Sequence, residues 1–246
     1  FVIFYRWLSV VWNDSIAKRG LIALAIFPTS FFLISVYSES TLLILISAIF
    51  LLVERGKWKQ AAMIALIASA TRPVGIFLWP TLMWLWFDKT KTDSVRKKFD
   101  FLSIFFLPPC GLIMFTLYLW YQVGDPLAWL HGQGNYGRNL ISPISLLYAY
   151  LKNIIKRGEY WSRHLFEMVA LVFVISCLPR LKKIHPAYAL FAVLNLVPSL
   201  FSNTLTSLQR FVLMIVPLFI VVAMQKRFVY FLYLAVSFPL LLFSVA

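Results

Sequence analysis

The stretch FPTSFFLISVYSESTLLILISAIFLLVERGKWKQAAMIALIASATRPVGIFLW, Phe27–Trp79, decides the fold. It is almost wholly apolar, yet it carries a carboxylate, Glu39, and a guanidinium, Arg72, each set between hydrophobic segments. An ionised side chain near a lipid interior costs several kcal/mol unless it faces a cavity, a partner or an interface. If the flanking segments are membrane helices, Glu39 and Arg72 lie at the same membrane face and belong to one site there.

Outward from this stretch the whole chain has the same character. Its 246 residues are 61% hydrophobic and 13% charged, with a mean hydropathy of +0.83. Apolar runs approaching 20 residues recur, which a soluble domain does not show and a polytopic membrane protein requires. The runs are 1–12, 20–37, 39–53, 60–71, 73–87, 101–121, 165–179, 186–201, 211–225 and 228–246. The expected fold is an all-α, polytopic transmembrane helical bundle forming one integral membrane domain over 1–246. Several runs are short: about 15 residues at 1.5 Å each span only ~22 Å of a ~30 Å hydrocarbon core. Short helices are tolerated where they line a protein-walled or water-filled cavity. Tryptophans cluster at run ends, as interfacial belts require.

The net charge of +14 would suggest nucleic acid in a soluble protein; here topology explains it. Fifteen basic residues fall in one set of loops: Lys18 and Arg19; Arg55, Lys57 and Lys59; Lys89, Lys91, Arg96, Lys97 and Lys98; Arg180, Lys182 and Lys183; Lys226 and Arg227. Only seven fall in the opposite set: Arg72, Arg138, Lys152, Lys156, Arg157, Arg163 and Arg210. The first set is assigned to the cytoplasm. The alternation holds if 60–71 and 73–87 are separate crossings hinged at Thr71-Arg72-Pro73, where Pro73 disfavours helix at Arg72 and opens the next helix. The other face then receives the Tyr37-Ser38-Glu39-Ser40 turn, the Thr71–Gly75 hinge, an external loop over 122–164 and Ser202–Arg210. Within that loop, Pro143–Arg157 is amphipathic and predicts a helix lying in the interface.

Each polar constellation has a structural and a functional reading. Ser38 suits an N-cap, with Glu39 in the first helical turn. There the carboxylate either complements the helix dipole, worth ~0.3–1 kcal/mol, or sits at the mouth of a cavity. Arg72 either satisfies terminal carbonyls or offers a planar five-donor fork to a phosphate. The loop GDPLAWLHGQGNYGR groups Asp125, His131, Gln133, Asn135, Tyr136 and Arg138, the residue types that bind a sugar. Arg210 precedes an apolar run near its N-terminal end, the wrong end for dipole compensation, which points it towards an anion. Asn13-Asp14-Ser15 reads as a cytoplasmic loop and helix cap. Cys110 and Cys177 lie inside apolar runs and read as small core hydrophobes. Zinc spacing, a nucleophile–histidine–acid set, a P-loop and a GxGxxG motif are all missing from the sequence.

FPTSFFLISVYSES, ERGKW, ALIASATRPVGIFLWP, GDPLAWLHGQGNYGR and TSLQRFVLMIVPLF, in this order over roughly Ala17 to Met224, resemble the PIG-V type of polytopic mannosyltransferase, especially its bacterial relatives. The resemblance implies a GT-C glycosyltransferase fold and transfer of a sugar, mannose above all, from a polyprenyl (dolichyl-type) phosphate sugar. The acceptor would be a glycan or glycolipid on the non-cytoplasmic side, as in glycosylphosphatidylinositol biosynthesis. It places the chain in a bacterial inner membrane, or in the endoplasmic reticulum of a eukaryote. By the same resemblance Arg72, Arg138 and Arg210 would bind the lipid phosphate. Tyr37, Ser38, Asp125, His131 and Gln133 would bind sugar or acceptor, and Glu39 would act as an auxiliary catalytic group positioning the acceptor or a divalent metal ion. The family's main carboxylate lies in its first external loop, so the chain is expected to be an N-terminally truncated fragment with its general base upstream. A lipid or solute transporter, which shares broken helices at a polar site, and a non-catalytic membrane scaffold are the alternatives.

Overall fold

The computed structural model describes residues 1–90, 95–135 and 138–245, with the side chains of 95–97, 135 and 245 excepted. Lys91 and Tyr136, and the side chains of Asn135, Arg96 and Lys97, lie outside the described residues. The described residues are helical throughout, joined by turns and two short 3-10 segments, with one isolated antiparallel bridge between Leu140 and Ser202.

The N-terminal half contains α1 (Val2–Val11), α2 (Asp14–Ala25), α3 (Glu39–Glu54), α4 (Trp58–Thr71), α5 (Leu78–Lys89) and α6 (Val95–Val123). Local chemistry sets their ends. Asn13 caps α2, its side chain accepting from the Ile16 N–H at 2.9 Å. α3 closes in a Schellman turn: Gly56 sits at φ 68°, its N–H reaches the Val53 carbonyl, and Lys57 N–H reaches that of Leu52. That left-handed position favours glycine. At the α4 hinge Arg72 is extended (φ −147°, ψ 138°) and Pro73 opens a 3-10 turn, Pro73–Phe77. This is the expected effect of proline on its predecessor.

The C-terminal half contains α7 (Ala128–Asn135), α8 (Pro143–Ile155), α9 (Trp161–Ile184), α10 (Pro186–Leu200), α11 (Leu208–Leu213), α12 (Leu218–Ala223) and α13 (Arg227–Val245). The predicted amphipathic helix is α8, capped by Ser142 with Pro143 in its first turn. Both α7 and α8 fall inside the loop read as 122–164.

Three helical segments, Lys98–Val123, Trp161–Ile184 and Arg227–Ser244, are long and apolar enough to cross a membrane. α6 and α13 turn large apolar side chains outward, among them Leu117, Trp120, Phe228 and Phe243. Exposed apolar surface of this kind on helices of membrane-crossing length fits contact with lipid. The described residues are thus all-helical, with three long apolar helices that fit a membrane protein.

Two runs expected as single helices are broken. In 20–37, α2 stops at Ala25, ahead of Pro28, and a 3-10 turn follows at Ser30–Leu33. In 211–225, Pro217 removes an N–H donor and disfavours helix at Val216, so α11 and α12 are separate short helices. Run 165–179 is longer than expected and forms part of α9.

α3, α4 and α6 pack side by side, with α1 and α2 beyond α3 and α12 against α2. The α4–α6 contact is close at Gly111 of α6, which faces Leu66 and Ser69 of α4. Ser69 Oγ donates to the Pro108 carbonyl across this interface at 2.5 Å. A side chain at Gly111 would strike the Leu66 carbonyl and Ser69. Trp7 stacks on Phe50 at 4.9 Å between ring centroids and anchors α1 to α3.

α3 orders the ionic groups. Its 16 residues span ~24 Å. At its C-terminal end Glu54 pairs with Lys89 at 2.5 Å, while Asp88 pairs with His185 at 3.1 Å. At its N-terminal end stands Glu39.

Candidate functional site

Glu39 is fully buried, although it opens a helix. Its Oε1 accepts from Arg72 Nη1 at 2.5 Å and from Arg210 Nε. The two arginines reach it from the α4 hinge and from α11, 33 and 171 residues away along the chain. Oε2 has no hydrogen-bond partner among the described residues. Ser38 occupies the N-cap position of α3, but its hydroxyl makes no cap bond. The expectation that Ser38 caps the helix is therefore corrected. Its backbone stands at φ −80°, ψ 1°, unlike the extended conformation that aims a cap side chain at the first turn.

Aromatic rings pack the guanidinium planes. Arg210 lies 4.1 Å from the Tyr37 ring centroid and 4.8 Å from that of Phe32. Arg72 and Arg138 each lie 5.8 Å from the Phe211 ring. Arg138 donates from Nη1 to Gln133 Oε1 at 2.9 Å and from Nη2 to the Thr206 carbonyl at 3.1 Å. Glu39, Arg72, Arg138, Arg210, Tyr37 and Gln133, distant in sequence, thus form one connected group with three cations against one carboxylate. Cation–π contacts and charge-assisted hydrogen bonds of this kind fix the planes in place.

Asp125 and His131 form a separate pair at 2.7 Å at the start of α7, with Asp125 Oδ1 also accepting from the Leu127 N–H. The His131 hydrogen bond, followed by that of Leu127, holds the Asp125 carboxyl below its usual range. The pair stands apart from the arginines; Gln133, two residues after His131, is the α7 side chain that bonds one of them, Arg138.

No family model, curated protein or solved structure matches the chain.

A divalent metal does not fit beside Glu39. Its Oε1 is taken by two guanidinium groups, whose charges would repel a dication. Among the described residues no three His, Cys, Asp or Glu side chains come together elsewhere.

The sequence reading passed over Glu167. It lies on α9, within an apolar run, and is 1% exposed. Its Oε1 accepts from Arg163 Nε at 3.2 Å and its Oε2 from the Tyr150 hydroxyl at 2.8 Å. The signal was present, since Glu167 is another carboxylate embedded in an apolar run, like Glu39.

An apolar groove of about 340 Å³ runs between α9, α12 and α13. Phe27, Pro28 and Gln209 line it, Gln209 being the neighbour of Arg210; Arg180 and Gln225 line it as well.

Proposed function

We propose that the chain is the membrane domain of a glycosyltransferase that takes a sugar, mannose by resemblance, from a polyprenyl-phosphate sugar on the non-cytoplasmic face. The observation carrying this reading is the excess of guanidinium charge at one helix-end cluster; an apolar groove is lined by Gln209, the residue before Arg210. Arg72, Arg138 and Arg210 supply donors to a lipid-borne phosphate, and the groove takes the prenyl chain. The resemblance of the ordered sequence blocks to PIG-V type mannosyltransferases supports the choice of a sugar phosphate over other lipid anions.

The proposed chemistry is an inverting displacement. A base removes the acceptor hydroxyl proton, the acceptor oxygen bonds to the anomeric carbon, and the bond to the lipid phosphate breaks. Negative charge grows on the departing phosphate, and preorganised cations stabilise it. Glu39 holds Arg72 and Arg210 in place beforehand.

The test is binding of farnesyl phosphate to the chain in lipid nanodiscs. Wild-type protein is expected to bind it, and Arg72→Ala to weaken binding at least about tenfold, the loss of one charged hydrogen bond or more. Equal binding by wild type and Arg72→Ala would reject the phosphate role.

A further inference from the structure

Glu167 carries the inference, because its whole hydrogen-bonding environment points at the 204–207 loop, which bonds Arg138 and leads into Arg210. A carboxylate within an apolar helix is retained at substantial cost unless fully partnered. Both its oxygens are partnered, and both partners lead to residues 204–206. Tyr150, from α8, donates to Glu167 while its oxygen accepts from the Leu205 N–H at 2.7 Å; Thr204 Oγ1 lies 3.2 Å away. Arg163 bonds Glu167 through Nε and Thr206 Oγ1 through Nη2, the latter at 2.5 Å. Thr204 and Thr206 join through their hydroxyls at 2.6 Å. The Thr206 carbonyl then receives Arg138. Next along the chain, Ser207 is held at φ 68°, a left-handed conformation unfavourable for serine, three residues before Arg210. Such a conformation persists only where its surroundings over-determine it.

We propose that Glu167 is a positioning residue: through Tyr150 and Arg163 it fixes the 204–207 loop, which sets Arg138 and Arg210 for phosphate. This rests on the reading of the arginine cluster as a phosphate site. Glu167 itself touches neither the phosphate nor the sugar. Its oxygens are spent on Arg163 and Tyr150, and its role is geometric.

A double-mutant cycle on farnesyl phosphate affinity tests it, with Glu167→Gln, Arg138→Ala and the pair, each in nanodiscs with thermal stability measured alongside. Glu167→Gln is expected to weaken binding about tenfold, as loss of a charged hydrogen bond would. The double variant is expected to lose clearly less than the product of the two single losses, since both act through Thr206. Tyr150→Phe, which leaves Glu167 paired with Arg163, is expected to show the same coupling and serves if Glu167→Gln does not fold. A double variant whose loss equals the product, or Glu167→Gln and Tyr150→Phe variants that bind like wild type, would overturn the role of Glu167 and leave the phosphate site standing. Wild-type protein that binds no farnesyl phosphate overturns the phosphate reading and this role together.

Discussion

Glu39 sets the terms at the scale of single residues. A buried carboxylate with one partner removed costs ~3–5 kcal/mol, but Glu39 has two. Arg72→Ala leaves Arg210 in contact, so its stability loss is expected to be nearer 1–3 kcal/mol, the range of a single hydrogen bond to a charged group. Arg72→Lys keeps the charge and loses the fork. It is expected to unfold close to wild type in a thermal melt in detergent yet bind farnesyl phosphate more weakly than wild type and better than Arg72→Ala. Melting of Arg72→Lys as low as Arg72→Ala would contradict this. Tyr150 makes a pH prediction. Burial pushes its hydroxyl from the usual 10 up to about 12. Between those values the unfolded chain loses the proton and the folded chain keeps it, so the Tyr150 contribution is complete below pH 10 and fades as pH rises through 12. The stability gap between wild type and Tyr150→Phe is therefore expected to stay level up to pH 10 and then to narrow. A gap unchanged to pH 12 would reject the assignment. At this scale the sequence was informative where a charge stood alone between apolar segments. Glu39 and Arg72 were legible for that reason, and Glu167 should have been. That Arg210 would spend its charge on Glu39 was not legible, because the pairing depends on tertiary packing across 171 residues.

Among the elements, proline and small residues govern. Pro73 and its extended neighbour Arg72 were readable from local sterics, and so was the amphipathic α8. The breaks at Pro28 and Pro217 were equally available but were masked by unbroken hydrophobicity, which distinguishes poorly between one long helix and two short buried ones. The α4–α6 contact rests on absent side chains. Gly111→Leu is expected to destabilise the protein by ~1–3 kcal/mol, as overpacking does, because the colliding Leu66 carbonyl is backbone and cannot turn aside. Ser69→Ala, which removes the hydroxyl's bonds to the Pro108 and Leu66 carbonyls, is expected to cost about 1 kcal/mol. Thermal melts of the two variants check both values, and a Gly111→Leu protein as stable as wild type would show that α4 and α6 move apart freely.

For the whole molecule, the charge alternation in the sequence makes a topological prediction that the helix ends respect. Glu54, Lys89, Asp88 and His185 meet at one end of α3, and Glu39, Arg72 and Arg210 at the other. In a background with Cys110 and Cys177 replaced by alanine, Lys57→Cys is expected to react with an impermeant thiol reagent only from the cytoplasmic side. Asn139→Cys is expected to react only from the opposite side. Labelling of both from one side would refute the alternation. The number of crossings was poorly legible, since α3, α4 and α5 are too short to be identified by length. The pairing at Glu39 also bears on how the chain is made. At about 5–20 residues per second, Arg72 is synthesised a few seconds after Glu39, whereas Arg210 follows only after roughly 9–34 s. During that interval Arg72 is the sole cation of the pair of partners to have been translated, so it alone is there to shield the carboxylate if the pair forms in the half-built bundle. Arg72→Ala should thus lower the yield of inserted protein more than it lowers the stability of the finished one.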